Sequence, residues 1–385
     1  MTQIAAIDVL VVRLPFRFSF GHALAERRSS TNVVVRARLA DGTVGYGEGV
    51  PREYVTGETV EGAVAALRDR LAPGVLGRSL DDPEAVPELL AEVPVSAPDG
   101  SLDSAARCAL ELAVLDAAGR RFGVSVSHWL GTPAPTVTYD AVLPFSSPRK
   151  VVLLALAIRA LGVRQVKVKV GTDVERDARS LRSLRRVLGP GADVRVDANC
   201  AWSVDGALAA LSQLRRFGVS AVEQPLAAED VAGLARLTAE VPEAVVLDES
   251  LRTVEEARRL VRERACDGFN IRVSKCGGLL PSRQIARVAA EAGLFCVVGA
   301  QVGESGILSA AGRHLAAAIA PRYLEGSGGR LLLREDLTEE RVLPGRRGRA
   351  RPFSGPGLGV QVREDTLRRL GEVVASLEPG LVRAP

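Results

Sequence analysis

The sequence predicts an α/β protein, a closed parallel barrel preceded by a smaller α+β domain, and three observations carry the prediction. After Pro133, short β-branched runs alternate with amphipathic helical stretches, and eight strand candidates suit a closed barrel better than an open sheet. Before that point strands come first and helices follow, without alternation. At the ends of five successive strand candidates, ionisable residues recur at nearly constant spacing.

Residues 1–50 alternate as antiparallel strands, IAAIDVLVVRL and TNVVVRARLADGTVGYGEG, with Asp41-Gly42 as a hairpin turn. From about 60 to 122 the period turns helical: ETVEGAVAALRDRL and SLDSAARCALELAVLDAAGRR carry apolar residues at i, i+3, i+4 and i+7. Ser101 and Ser104 are candidate N-caps. The barrel strand candidates are TVTYDAVL, RQVKVKV, DVRVD, SAVEQ, AVVLDES, GFNIRVSK, GLFCVVGA and PRYLE, most of them separated by helices such as VERDARSLRSLRRVLG. The tail beyond Pro352, GPGLGVQV and a short helix, is expected to return to the first domain. The expected divisions are 1–130, 131–350 and 351–385.

A 385-residue chain with 47% hydrophobic and 25% charged residues and a net charge of +4 is ordinary globular material, neither disordered nor collagen-like. The longest apolar runs, such as Val151–Ile158, fall far short of the ~20 residues that cross a bilayer. The opening MTQIAAIDVLVVRLPF alternates like a strand and lacks the order of a signal peptide, so a cytoplasmic protein is expected. The five cysteines (Cys108, Cys200, Cys266, Cys276, Cys296) form no CxxC pair, which argues against a disulfide framework or a zinc ribbon. The cluster Arg346-Arg347-Gly348-Arg349-Ala350-Arg351 reads as a solvated loop, and neither nucleic acid nor membrane is expected as a partner.

Of the 50 lysines and arginines, only Lys150, Lys167, Lys169 and Lys275 are lysines. Arginine serves where only a positive charge is needed, whereas lysine can lose its proton and act as a base. Three of the four lie in the strand-like segments VRQVKVKVG and FNIRVSKCGG. Ligand sites of parallel barrels lie at the C-terminal strand ends. There the second strand candidate carries Lys167 and Lys169, the third Asp197 and Asn199, the fourth Glu223, the fifth Asp248 and the sixth Lys275. From 169 to 197 is 28 residues, then 26 to 223, 25 to 248 and 27 to 275, each about one strand, one helix and two loops.

Three carboxylates from adjacent strands suit a hard divalent cation such as Mg²⁺. Without one they repel each other and are costly to bury unless a salt-bridge network with the lysines holds them. A bound cation, and Lys167 beside Lys169, would draw the lysine pKa toward working pH. Lys169 and Lys275 are then candidate bases on opposite sides of a ligand, with Lys167 a neighbouring charge. A carboxylate substrate at the metal would lose its α-proton, and Mg²⁺ and Lys167 would stabilise the resulting enediolate.

VKVKVG, VDANCAW, VEQPL, LDES and NIRVSKCGG resemble the barrel signatures of the enolase superfamily. Lys-x-Lys on the second strand and a lone lysine on the sixth make the chain most similar to its muconate lactonizing enzyme subgroup, within the mandelate racemase/muconate lactonizing enzyme-like families. The resemblance spans the chain. It implies a modified TIM barrel, (β/α)7β, with an N-terminal α+β capping domain completed by the C-terminal tail. It further implies Asp197, Glu223 and Asp248 as Mg²⁺ ligands (Mn²⁺ being the alternative ion), with Asn199 and Glu249 supporting them. Lys169 and Lys275 become the acid/base pair, Lys167 assists the substrate carboxylate, and a homo-oligomer is expected. FRFSFGHALAERRSS and GYGEGVPREYVTGET resemble loops that close over substrate, which makes His22, Arg52 and Tyr54 candidate contacts. His128 and His314 are expected to be structural.

Two departures bear on substrate. Dipeptide epimerases of the subgroup carry Asp-x-Asp near the last barrel strand, whereas YLEGSGG offers Glu325-Gly326-Ser327. That speaks against a dipeptide, although Glu325 could meet one cationic nitrogen. The seventh strand end, GAQVGESG, is a residue longer than usual and makes Gln301 and Glu304 pocket candidates. The expected reaction is Mg²⁺-dependent racemisation or epimerisation of an amino-acid derivative, or cycloisomerisation. The alternative is a lyase eliminating water, as in o-succinylbenzoate synthases or hydroxyproline-type dehydratases. A barrel without activity, serving as a scaffold, is opposed by the intact set of three carboxylates and three lysines.

Overall fold

The computed structural model describes residues 2–22, 25–131 and 133–383. Its cap is an antiparallel sheet of β1 (Ile4–His22), β2 (Ala25–Leu39) and β3 (Val44–Gly49), with Gly42 at φ 88° turning the β2–β3 hairpin. A strand from the far end of the chain, Gly371–Glu378, pairs antiparallel with the outer edge of β1, and Leu381–Arg383 pairs with it in turn. The tail therefore returns to the cap: GPGLGVQV packs on it, with the Leu358 amide donating to Asp116 Oδ1 at 2.8 Å, the short helix is Glu364–Leu370, and GEVVASLE completes the sheet.

Helix α1 (Ser104–Phe122), stopped by Gly123 at φ 70°, lies across this sheet. The fit is made by absence of side chains. Gly45, Gly47 and Gly49 all face the helix, where Ala117, Ala113, Ala109 and Ala105 stand one turn apart. A Cβ on Gly47 would overlap the Ala109 carbonyl, and one on Gly49 the Ala105 carbonyl. Alternation along a strand then turns Tyr46 and Glu48 the other way, and Glu48 reaches the barrel.

The barrel strands are β4 (Ala141–Leu143), β5 (Gln165–Lys169), β6 (Asp193–Asp197), β7 (Val219–Glu223), β8 (Ala244–Leu247), β9 (Gly268–Arg272), β10 (Phe295–Gly299) and β11 (Tyr323–Leu324), parallel and in sequence order. The seam between β4 and β11 is closed by the Asp140 amide donating to the Leu324 carbonyl at 2.8 Å. Seven helices alternate with the strands: Pro148–Leu161, Val174–Leu188, Val204–Leu214, Val231–Glu240, Val254–Arg262, Leu279–Glu291 and Gly306–Ile319. After β11 comes only the short turn of helix Gly329–Leu332, so the architecture is (β/α)7β. Six of the seven helices start where the local sequence can satisfy the free amides, the exception being Leu279–Glu291, which follows Gly278. Ser147, Asp173, Ser203, Asp230, Thr253 and Ser305 accept them, and Thr253 with Glu256 forms a capping box.

TVTYDAVL is two strands rather than one. Val137–Thr138 pairs with Arg349–Ala350 outside the barrel, and only Ala141–Leu143 enters it. The break falls at Asp140, whose carboxylate turns to a buried arginine and whose amide closes the seam. Among the described residues no helix is long and apolar enough to cross a membrane.

Candidate active site

Register brings the charged residues together. Lys169 pairs with Asp197 across β5 and β6, and Asp197 with Glu223 across β6 and β7. Asp248 stands one residue past β8 and Lys275 three past β9, in the turn that leads to the next helix. All three carboxylates are sealed from solvent, as are Lys167 and Lys275, while Lys169 is 15% exposed at its side chain.

Buried charge persists only when paired, and here each carboxylate is. Lys167 Nζ reaches Glu325 Oε1 at 2.6 Å, Glu223 Oε1 at 2.9 Å and Asp197 Oδ2 at 3.2 Å. Lys169 Nζ donates to Asp197 Oδ2 at 2.7 Å and to Asn199 Oδ1. Lys275 Nζ donates to Asp248 Oδ1 at 2.8 Å and to the Asn270 carbonyl at 2.9 Å. Arg195 bridges Glu223 and Asp140, each at 2.6 Å, and also Glu325. Arg272 is paired with Asp248, and Asn199 Nδ2 donates to Glu249 Oε1 at 3.1 Å.

These pairings set the electrostatics. Burial alone would push the Lys167 ammonium down, but Glu223, Glu325 and Asp197 together hold it well above the usual lysine range. Burial alone would raise Asp197 and Glu325. Lys169 and Lys167 hold the former well below the usual carboxylate range, and Lys167 and Arg195 draw the latter down to about 2. Glu249 goes the other way, up to about 7, through burial and the charges of Asp248 and Asp197.

Among the described residues no three His, Cys, Asp or Glu side chains are drawn together closely enough to hold an ion. The carboxylates lean on lysine and arginine instead. The donor set nevertheless fits a hard cation: three carboxylates from adjacent strands, with Glu249 Oε2 and Asn270 Oδ1 buried among them and without hydrogen-bond partners. Six acids (Asp140, Asp197, Glu223, Asp248, Glu249, Glu325) face five bases (Lys167, Lys169, Arg195, Arg272, Lys275), a formal balance of 5 − 6 = −1.

The remaining sequence candidates stand at the margin. Arg52 is buried in the cap, its guanidinium donating to Ser30 Oγ at 2.6 Å and the Val302 carbonyl at 3.0 Å. Tyr54, on the short helix Glu53–Thr56, is 40% exposed. The His22 side chain lies outside the described residues. Gln301 Oε1 is 3.5 Å from Arg272 Nη1, and Glu304 accepts the Gln301 amide at 2.5 Å. Glu304 and Glu325 also line a cavity of about 250 Å³ together with Ser327, Tyr139 and Arg313. Burial raises the Glu304 carboxyl to about 8. Four residues of the network escaped the sequence reading: Asp140, Arg195, Asn270 and Arg272. Arg195 carried a usable signal, since alternation puts it on the same inward face as Asp193 and Asp197.

The chain matches the model of the mandelate racemase / muconate lactonizing enzyme N-terminal domain over residues 1–131, and the enolase C-terminal domain-like model over residues 150–366. The N-succinyl-L-Arg/Lys racemase of Bacillus cereus is 29% identical over 376 residues, 96% of this chain and 98% of that protein. The crystal structure of N-succinyl Arg/Lys racemase from that organism superposes with a TM-score of 0.88 at 28% identity, covering 98% of this chain and 100% of its own. The L-Lys-D/L-Arg epimerase of Methylococcus capsulatus is 34% identical over 361 residues, 93% of this chain and 99% of that protein. A dipeptide epimerase from Enterococcus faecalis, crystallised with Mg and the dipeptide L-Leu-L-Tyr, gives a TM-score of 0.84 at 27% identity over 93% of this chain and 99% of its own.

Proposed function

The chain belongs to the mandelate racemase/muconate lactonizing enzyme group of the enolase superfamily, and from that premise we propose that it racemises or epimerises an N-acylated amino acid by moving its α-proton. The observation that carries this reading is the placement of two lysines, Lys169 at the end of β5 and Lys275 after β9, with the carboxylate-bearing strands β6, β7 and β8 between them. Asp197, Glu223 and Asp248 would hold Mg²⁺, which supplies the charge that makes the α-proton of a carboxylate removable.

One lysine, as the free amine, takes the proton from one face, and the other, as the ammonium, returns a proton to the opposite face. Lys167 does neither. Held charged by Glu325, Glu223 and Asp197, it supplies a fixed positive charge beside the substrate carboxylate. An N-acyl amino acid is favoured over a dipeptide because Glu325 is already engaged by Lys167 and Arg195, and Gly326-Ser327-Gly328 offers no second carboxylate for a free ammonium.

The test is proton NMR in D₂O with Mg²⁺ against N-acyl amino acids (N-succinyl arginine and lysine first), dipeptides and hydroxy acids. Deuterium should enter the α-position of both stereoisomers with no change in carbon skeleton, and chelation of the metal should stop it. Lys169→Ala and Lys275→Ala should each abolish exchange of one stereoisomer and leave that of the other. A vinylic or ring-closed product, or exchange untouched in both variants, would reject the reading.

A further inference from the structure

The two lysines are held by different parts of the molecule. Lys169 ends a barrel strand, and the chain around it is fastened within the barrel. The Val170 amide donates to the Asp197 carbonyl at 2.9 Å and the Gly171 amide to Asp177 Oδ2 at 2.9 Å. Among the described residues no hydrogen bond runs from the cap to residues 165–173.

Lys275 sits instead in a turn, and the cap grips that turn at three points. The Val50 amide, just past β3, donates to Ser274 Oγ at 2.8 Å. Arg107 on α1 donates through Nη1 to the Gly277 carbonyl at 2.5 Å, and Glu111 one turn later accepts the Leu280 amide at 3.0 Å. Arg107 and Glu111 are themselves an ion pair at 2.6 Å, both buried. Gly278, at φ 123°, passes so close to Glu111 that a Cβ there would overlap the carboxylate. Arg107 also donates within the cap, through Nε to the Val93 carbonyl at 2.8 Å and through Nη2 to the Leu90 carbonyl at 2.9 Å, so the buried ion pair is anchored in the cap and reaches the turn from there.

We propose that the cap positions one of the two bases and not the other: Arg107, Glu111 and Ser274 are positioning residues for Lys275, while Lys169 is set by the barrel alone. This rests on the two-lysine reading above. Reaction at a carbon centre is sensitive to misplacement of the base on the ångström scale, so loosening the cap's grip should damage one face of the reaction selectively. A merely structural role would lower both faces together, through the fraction folded.

Arg107→Lys keeps the charge beside Glu111 but loses the fork that reaches Gly277. Ser274→Ala removes the acceptor for Val50 with little loss of bulk, and covers the case in which Arg107→Lys does not fold. On the substrate with which the native chain exchanges, the stereoisomer that Lys275→Ala fails to exchange should slow by about ten-fold or more in either variant. The stereoisomer lost in Lys169→Ala should stay within about two-fold of the native rate. Equal slowing of both isomers, or of neither, would overturn the proposal while leaving the two-lysine reading intact. Failure of the native chain to exchange any stereoisomer would remove the reading and the proposal with it.

Discussion

His314 shows how burial alone can dictate a protonation state. It is fully buried on the seventh barrel helix, with Ser127 Oγ at 2.9 Å from Nδ1 and the Leu358 carbonyl at 3.1 Å from Nε2. A carbonyl can only accept, so Nε2 carries the proton and Nδ1 accepts from Ser127. Burial pushes the imidazole from 6.5 down to about 4. The unfolded chain therefore takes up a proton below 6.5 while the folded one does so only below about 4, and the contribution is whole above 6.5 and lost as pH falls through that window. Between about pH 7 and about pH 5 the native protein should lose roughly 2 kcal/mol more stability than His314→Asn. Urea unfolding at the two pH values measures it, and parallel losses would assign the imidazole no part. The sequence identified His314 as structural but not its partners, which come from segments 187 and 44 residues away. The same limit hid Arg195. A lone arginine in DVRVD shows its inward face but not Asp140, Glu223 and Glu325, which other strands deliver.

At the scale of elements, glycine has opposite meanings in β3 and in the seventh barrel helix. Gly47 lies under the Ala109 carbonyl and the Ala113 amide, so Gly47→Ala must push α1 off the sheet. A cost of about 3 kcal/mol or more is expected. Gly312, inside the helix Gly306–Ile319, has nothing within 4 Å of where a Cβ would stand. Gly312→Ala should therefore stabilise by about 1 kcal/mol through helix propensity. Thermal unfolding of the two variants should move in opposite directions, and a shift of the same sign in both would refute the packing argument. Both elements were visible in the sequence, β3 from alternation and the helices from their apolar period. The Gly-on-Ala contact was not. GYGEG and the alanines of α1 lie about sixty residues apart, and neither pattern alone names the other as its partner. Strand boundaries failed for a related reason. TVTYDAVL reads as one strand because nothing local shows that Asp140 will be drawn away to Arg195.

Over the whole molecule, the cap is not a module appended to the barrel. Its sheet joins both ends of the chain, with the register Ile7 to Leu377 and Val12 to Gly371. Between those ends the barrel is inserted, and the contact between the two parts includes buried polar groups beside a continuous apolar core. Glu48 accepts the Ser305 amide at 2.9 Å, the Ser305 hydroxyl at 2.6 Å and the Leu308 amide at 3.0 Å, at the start of the seventh barrel helix. Asn32 donates to the Gly303 carbonyl at 2.9 Å. If the cap unfolded alone, these barrel groups, together with Ser274, Gly277 and Leu280, would lose their partners, each at about 1–3 kcal/mol where water cannot replace them. Separate unfolding of the cap is thus opposed by the barrel as well as by its own core. The two tryptophans report the two regions: Trp129, whose indole donates to the Pro83 carbonyl of the cap at 2.8 Å, and Trp202, past β6 in the barrel. Single-tryptophan variants (Trp129→Phe and Trp202→Phe) should each show one thermal transition whose fluorescence midpoint matches its own far-UV midpoint. Ending the chain at Leu370 removes the strand that covers the edge of β1, and should lower the Trp202 midpoint together with that of Trp129. A Trp202 transition that stayed at its native midpoint after that truncation would show the barrel standing without its cap.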